Sequence, residues 1–332
     1  MTMDVVKLPG KISAYRVLSR GAIGWVYQIN DRIALKYARE PDSKEFAKEN
    51  DMFDLFEKHP PCPHVVQSFL RLPDANFLAF MSGGSLDDRL KSHQVRDGPF
   101  GKVLRVDKAE PVELVERWLR ELCGAVVWLE SLGYVHGDLR PSNFLLDRGD
   151  HLKLGDFDCA EKVSEPSSGN GAPWARVLGD DEDEVGAQRG SFGINGPRTE
   201  QFAIGSNLYY MVYGFEPYED RDDRGPVIVE LLQDMKFPEL RDGRLDSIIH
   251  RCWRGRYQQL KDLLEEVETV SGMTPSSEAV TISREYLDDY RDECQALVED
   301  GLLGDTWTTG GYHSGLGKNA VARSAIQVMY GT

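Results

Sequence analysis

The most constraining feature of this chain is a pair of short runs in its middle third. The first reads Tyr134-Val135-His136-Gly137-Asp138-Leu139-Arg140-Pro141-Ser142-Asn143-Phe144-Leu145-Leu146, and the second Leu152-Lys153-Leu154-Gly155-Asp156-Phe157-Asp158. Two acids and an amide each occupy a short polar break between apolar runs. A plain β-hairpin whose acids only make turns is one reading. What precedes the pair favours another.

The strongest helical pattern in the sequence runs from Pro111 to Leu132, just upstream. Pro111 suits its first turn, Leu114, Val115, Trp118, Leu119 and Leu122 form a stripe, and Gly133 is a C-cap. Near the start, β-like runs at 15–18, 25–29 and 33–37 enclose the small-residue loop Ser19-Arg20-Gly21-Ala22-Ile23-Gly24 and the turn pair Asn30-Asp31. Such a loop lets backbone N–H groups approach phosphate oxygens, although a Gly-containing turn is common. Lys36 follows in Ile33-Ala34-Leu35-Lys36. A helix comes next, with Asp42 and Glu45 at capping-box spacing and Phe46, Met52 or Phe53, and Phe56 as its stripe. Glu49 lies on that stripe, where a carboxylate needs a partner, and Lys36 is the obvious one. A further strand pair is expected over 65–71 and 77–81. Ser82-Gly83-Gly84-Ser85 reads as a linker between lobes.

In this order, the parts suit phosphoryl transfer. The reaction needs an acid beside the attacking hydroxyl and oxygen ligands for the cation that neutralises a triphosphate. Asp138 suits the first role, and Asn143 with Asp156 the second.

The 332 residues carry a net charge of −16 and a sequence pI of about 4.9, which argues against nucleic acid as a main partner. Acidity would suit basic peptide substrates, but it also serves ordinary solubility, the plainer reading. The five cysteines are widely spread with no metal-ligand spacing, no secretory leader is evident, and no uncharged stretch approaches a membrane span. These features point to a reduced cytoplasmic or nuclear protein. Beyond Asp156, the SEPSSGNGAPW segment and the acidic run at 180–184 read as a long mobile loop too polar to bury. Helical patterning resumes near Glu200 and continues to about Val270. Another helix is expected over 285–300, then a Gly-rich tail that docks or stays loose.

The chain resembles the eukaryotic-type protein kinases, and is similar to the kinase-like proteins of filamentous fungi, over about residues 12–265. HGDLRPSN, LGDFD and PRTEQFAIGSNLYYMVYGFEPYED carry the resemblance most specifically. It implies a two-lobed α+β fold: a small lobe at 1–81 with an antiparallel sheet and one main helix, and a mostly helical large lobe at 82–270. Residues 271–332 would add a C-terminal helix and tail. It also implies ATP with magnesium or manganese as cofactors and a protein substrate. Lys36 would pair with Glu49, Asp138 would orient or deprotonate the hydroxyl, and Arg140 would face the transferred phosphate. Asn143 and Asp156 would bind the metal. Gly21 and Gly24 belong to the phosphate loop. Val26, Ala34 and Leu145 would sandwich adenine, with Leu78 as gatekeeper and Ala79, Phe80 and Met81 as hinge. Phe53, His136 and Phe157 would stack in the internal spine. Glu200 begins a helix at a position where the family usually has Asp, and LDSIIHRCW resembles the helix ending in a Cys-Trp pair.

Four positions depart from the pattern: Ser19 replaces the first loop glycine, Gly137 replaces the arginine before the catalytic aspartate, Asp158 replaces the glycine after Asp-Phe, and no clear Ala-Pro-Glu precedes Glu200. Loss of the arginine makes control by activation-loop phosphorylation less expected. The departures keep two alternatives open: a pseudokinase scaffold, and a small-molecule kinase of the aminoglycoside or choline type.

Overall fold

The computed structural model describes residues 10–99, 101–179, 188–222, 225–270 and 282–304. The acidic run at 180–184 and the tail beyond 304 lie outside the described residues. The small lobe is built on a five-stranded antiparallel sheet. Its strands are β1 (Arg16–Arg20), β2 (Gly24–Gln28), β3 (Ile33–Ala38), β4 (Ser68–Leu72) and β5 (Ala75–Ala79), in the order β1-β2-β3-β5-β4. Val26 pairs with Lys36 and Ala34 with Leu78, so these four side chains share one face. Tyr27, Ile33, Leu35 and Phe77 alternate onto the other face and are at most 1% exposed.

Two expected boundaries are corrected. The 65–71 run does not enter the sheet at Val65. Val66 N–H bonds Leu154 O at 2.9 Å, and the Gln67 amide donates to the Cys62 and Val65 carbonyls, so the segment is a connector. Asp74 makes the turn, which lets β5 begin at Ala75. The main helix, α1 (Lys44–Phe56), is capped by Ser43, not by Asp42: Ser43 Oγ accepts Phe46 N–H at 3.3 Å. Asp42 instead adopts a left-handed φ of 56° and bonds Asp74.

The segment read as a linker also takes part in pairing. Gly84–Ser85 forms β6 against β10 (Phe144–Leu146), and Ser85 then caps α2 (Leu86–Lys91) by accepting Asp88 N–H. The hairpin β7 (Gln94–Arg96) and β8 (Val103–Val106) follows. Pro111 stands just outside α3 (Val112–Ser131), as its N-cap. Then come β9 (Tyr134–Val135), β10, β11 (Leu152–Leu154) and β12 (Glu161–Lys162). The polar stretch after β12 is not a loose loop within the described residues. Trp174 and Leu178 are 8% exposed, and backbone bonds from Ser164, Ser167 and Leu178 tie it to 191–195. Its buried Trp174 and Leu178 side chains, not its average polarity, decide its packing.

Helices α4 (Pro197–Tyr213), α5 (Gly225–Gln233), α6 (Arg244–Trp253) and α7 (Leu260–Val270) complete the large lobe. α4 is buried at every position from Glu200 to Met211, with Ser206 accepting from the Trp253 indole at 3.0 Å and Asn207 bonding Leu139 O at 2.9 Å. A last helix, α8 (Arg284–Glu299), leaves the large lobe and covers the apolar outer face of the small sheet, where Cys294 and Val298 pack with Leu35, Phe69 and Phe77. Among the described residues no helix is long and apolar enough to cross a membrane.

Candidate active site

The site forms where the shared face of the small sheet meets the loops around β10 and β11. Lys36 reaches Glu49 of α1 at 2.8 Å and Asp156 at 2.5 Å. Burial opposes the ammonium form of Lys36, but the two carboxylates outweigh it and hold its pKa above the usual lysine range. Glu49 is 1% exposed, and burial pushes its carboxyl up despite Lys36, because Asp156 and Asp158 press on it too. Asp156 is held down by Lys36 in spite of its burial. Removing the lysine would strand two carboxylates, so the trio stands or falls together.

Asp156 has a φ of 67°, uncommon for a residue with a side chain, and the surrounding contacts fix it there. Behind it Phe157 is fully buried, with ring centroids 5.5 Å from Phe53, 4.9 Å from Phe56 and 5.2 Å from His136. His136 Nε2 lies 3.0 Å from Gly155 O, and Asp138 N–H donates to His136 Nδ1 at 3.3 Å. Burial lowers the pKa of this imidazole, and the tautomer with its proton on Nε2 donates to Gly155 O and accepts at Nδ1.

Asp138 is 3% exposed. Its Oδ2 accepts from the Asn143 amide at 3.0 Å and pairs with Arg140 at 2.7 Å, while its Oδ1 is buried without a hydrogen-bond partner among the described residues. Burial raises its pKa against the pull of Arg140. Asn143 spends its N–H groups on Asp138, which orients its amide, and Gly155 N–H bonds Asn143 O at 3.0 Å, which ties the amide loop to the Asp156 loop. Among the described residues no group of three or more His, Cys, Asp or Glu side chains could hold a metal unaided. The donor set here is an amide oxygen and a carboxylate. These are hard oxygen ligands suited to a magnesium-type cation that takes its remaining ligands from phosphates and water.

Leu145, of β10, is half-buried and pairs with Lys153 and Ser85, while Val26, Ala34 and Leu78 share one face of the small sheet. Ala79, Phe80 and Met81 lead out of β5, where Ala79 N–H bonds Gln67 O and Phe80 N–H bonds Arg32 O. In the β1–β2 turn Gly21 N–H bonds Gly24 O at 2.9 Å. A side chain at Gly24 would stand 3.0 Å from Tyr37 O of β3, a tight fit between these two strands.

Two features escape the sequence reading. Glu200, read there as the start of a helix without chemistry, accepts the N–H groups of His136 at 3.0 Å and Gly137 at 3.3 Å, and so anchors the loop that carries Asp138. Burial raises its carboxyl to about 7 against those two bonds. Its fit to the family's aspartate position was the available signal. Gly137 has a φ of +75°, and a Cβ there would lie 2.6 Å from Cys159 O. An arginine at this position would be strained at this φ and would require the Cys159 backbone to shift.

Residues 13–269 match the protein kinase domain family. The chain is 27% identical over 218 residues to human Rho-associated protein kinase 1, which covers 61% of this chain and 15% of that protein. It is 27% identical over 160 residues to serine/threonine-protein kinase cot-1 of Neurospora crassa, covering 46% of this chain and 24% of the relative. It is also 29% identical over 159 residues to human Citron Rho-interacting kinase, covering 45% of this chain and 8% of that protein. The chain thus spans a quarter or less of each of these relatives.

Proposed function

Because the chain belongs to the protein kinase domain family, we propose that it is an active serine/threonine protein kinase that uses ATP and magnesium. The observation that carries this reading is the unpartnered, buried Oδ1 of Asp138 beside Arg140. An acid held with one oxygen free, its other oxygen oriented by Asn143, is prepared to receive a hydroxyl. In the reaction the substrate oxygen forms a bond to the γ-phosphorus as the bond to the β–γ bridging oxygen breaks. ADP leaves, and the hydroxyl proton passes toward Asp138.

Arg140 faces the transferring group as a fixed cation. Lys36, kept charged by Glu49, offers its ammonium to the nucleotide phosphates. Asn143 and Asp156 would hold magnesium, or manganese, which neutralises phosphate charge when bound. Val26, Ala34 and Leu145 provide the apolar walls for adenine, beside Leu78 and the Ala79–Phe80–Met81 hinge, while Gly21 and Gly24 cover the phosphates. Support for turnover is the joint presence of Lys36, Glu49, Asp138, Asn143 and Asp156 in contacting pairs. Support for serine/threonine acceptors is the cot-1 relative, itself named for that specificity.

The test is transfer of labelled phosphate from ATP to generic basic proteins, to the chain itself and to small aminoalcohols, with Asp138→Asn as control. Labelling of protein that vanishes in Asp138→Asn is the expected result. Nucleotide binding without transfer would make the chain a pseudokinase scaffold, and labelling of aminoalcohols alone would make it a small-molecule kinase.

A further inference from the structure

α8 is the farthest described element along the chain, yet it closes the core of the lobe where the chain begins. Cys294, Val298, Leu302 and Leu303 are 0–6% exposed against Ile12, Tyr27, Ile33, Phe69 and Phe77, and the Tyr290 ring stacks on Phe69 with centroids 4.7 Å apart. Lys11 N–H bonds Leu302 O at 3.0 Å, and Asn30 of the β2–β3 turn donates to Glu293 at 2.9 Å. α8 is therefore a fixed platform relative to the sheet.

From that platform Arg291 reaches back to α1. Its Nε donates to Phe69 O of β4 at 3.1 Å, its Nη1 to Asp288 at 3.0 Å, and its Nη2 to Glu57. Glu57 is the residue that closes the C-terminal end of α1, where the helix carbonyls already carry negative charge and favour a cation. An acid there needs a counter-charge, and two guanidinium groups supply it. Arg71 takes the other Glu57 oxygen and also binds Asp54 at 2.6 Å, one turn earlier. The Arg291–Glu57 pair borders a cavity of about 160 Å³, whose other walls include Arg284, Leu287, Phe53, Phe56 and Trp128. The arginine bridge thus spans a gap that apolar contact leaves unfilled, beside the rings that hold Phe157.

We propose that Arg291 is a positioning residue for phosphoryl transfer, fixing the end of α1 and through that helix the Glu49 carboxylate at Lys36. Glu49 lies eight residues before Glu57, about 12 Å along a single helix, so a shift at one end moves the other. Glu57 and Arg291 are partly exposed, at 46% and 28%, so their pair contributes little to stability as such. That separates positioning from bracing.

The inference rests on the kinase reading, and its test keeps the two apart. In the full chain, Arg291→Ala should lower kcat by about 3- to 5-fold while melting temperature and the KM for protein acceptor stay as in the parent. Arg291→Lys should retain part of the rate. Hydrogen–deuterium exchange at 44–57 should quicken in Arg291→Ala, whether or not the parent turns over. Unchanged exchange there, or a rate loss that only tracks a fall in melting temperature, would overturn the inference. A parent chain that binds nucleotide without transfer, yet shows the quickened exchange, would overturn only the kinase reading.

Discussion

At the scale of single residues, the site depends on carboxylates held in unlike states by their surroundings. Asp156 is kept ionised by Lys36, whereas Glu200, with no cation partner described, is pushed up by burial to about 7. A group whose folded pKa lies above its unfolded value contributes its full stability below the unfolded pKa and loses it as pH rises through the folded one. For Glu200 that window runs from about 4.5 to about 7. The unfolding free energy of the parent, minus that of Glu200→Gln, should therefore fall by roughly 3 kcal/mol between pH 4 and 8. Chemical denaturation of both proteins across that range checks it, and a flat difference would mean that Glu200 ionises normally in the fold.

At the scale of elements, α4 and α8 do what their own sequences do not announce. α4 anchors the loop that carries Asp138 through Glu200 and Asn207. α8 and the turn that follows it supply Cys294, Val298, Leu302 and Leu303 to a core that the small sheet cannot close alone. Burying each of the three aliphatic side chains, Val298, Leu302 and Leu303, is worth about 1.5–3 kcal/mol, so together they amount to a large share of the stability of a typical domain. A chain ending at residue 270 should consequently fail to form a native small lobe. The expected outcome is loss of cooperative melting and of nucleotide binding. Retention of both would show that the sheet's outer face tolerates water.

At the scale of the molecule, Lys36 from the sheet, Glu49 from α1 and Asp156 from the large-lobe loops meet in one cluster, so ligation should be felt by both lobes. Magnesium with ATP at about a hundred times its dissociation constant should stabilise the chain by roughly 2.7 kcal/mol. Asp156→Asn should abolish the magnesium-dependent part of that gain and leave any metal-free binding of the adenine portion. Equal stabilisation of Asp156→Asn with and without EDTA, matching the parent in magnesium, would remove the metal role from Asp156.

The sequence by itself determined the order of parts and most chemical identities. A lysine in a strand, a glutamate on the apolar stripe of the next helix, and an acid, an amide and an acid in polar breaks are local patterns, because each rests on strand or helix periodicity over a few residues. Spacing could not determine which distant groups would satisfy one another. The cap of α1 fell to Ser43 because Asp74, 32 residues beyond Asp42, engages the Asp42 backbone. The polar stretch after β12 became ordered because Trp174 and Leu178 found buried places, which mean polarity cannot foretell. Glu200, Gly137 and α8 gained their roles only when the chain brought Cys159, the catalytic loop and the outer sheet face alongside them. Those are contacts between segments far apart in sequence, and only the folded chain selects them.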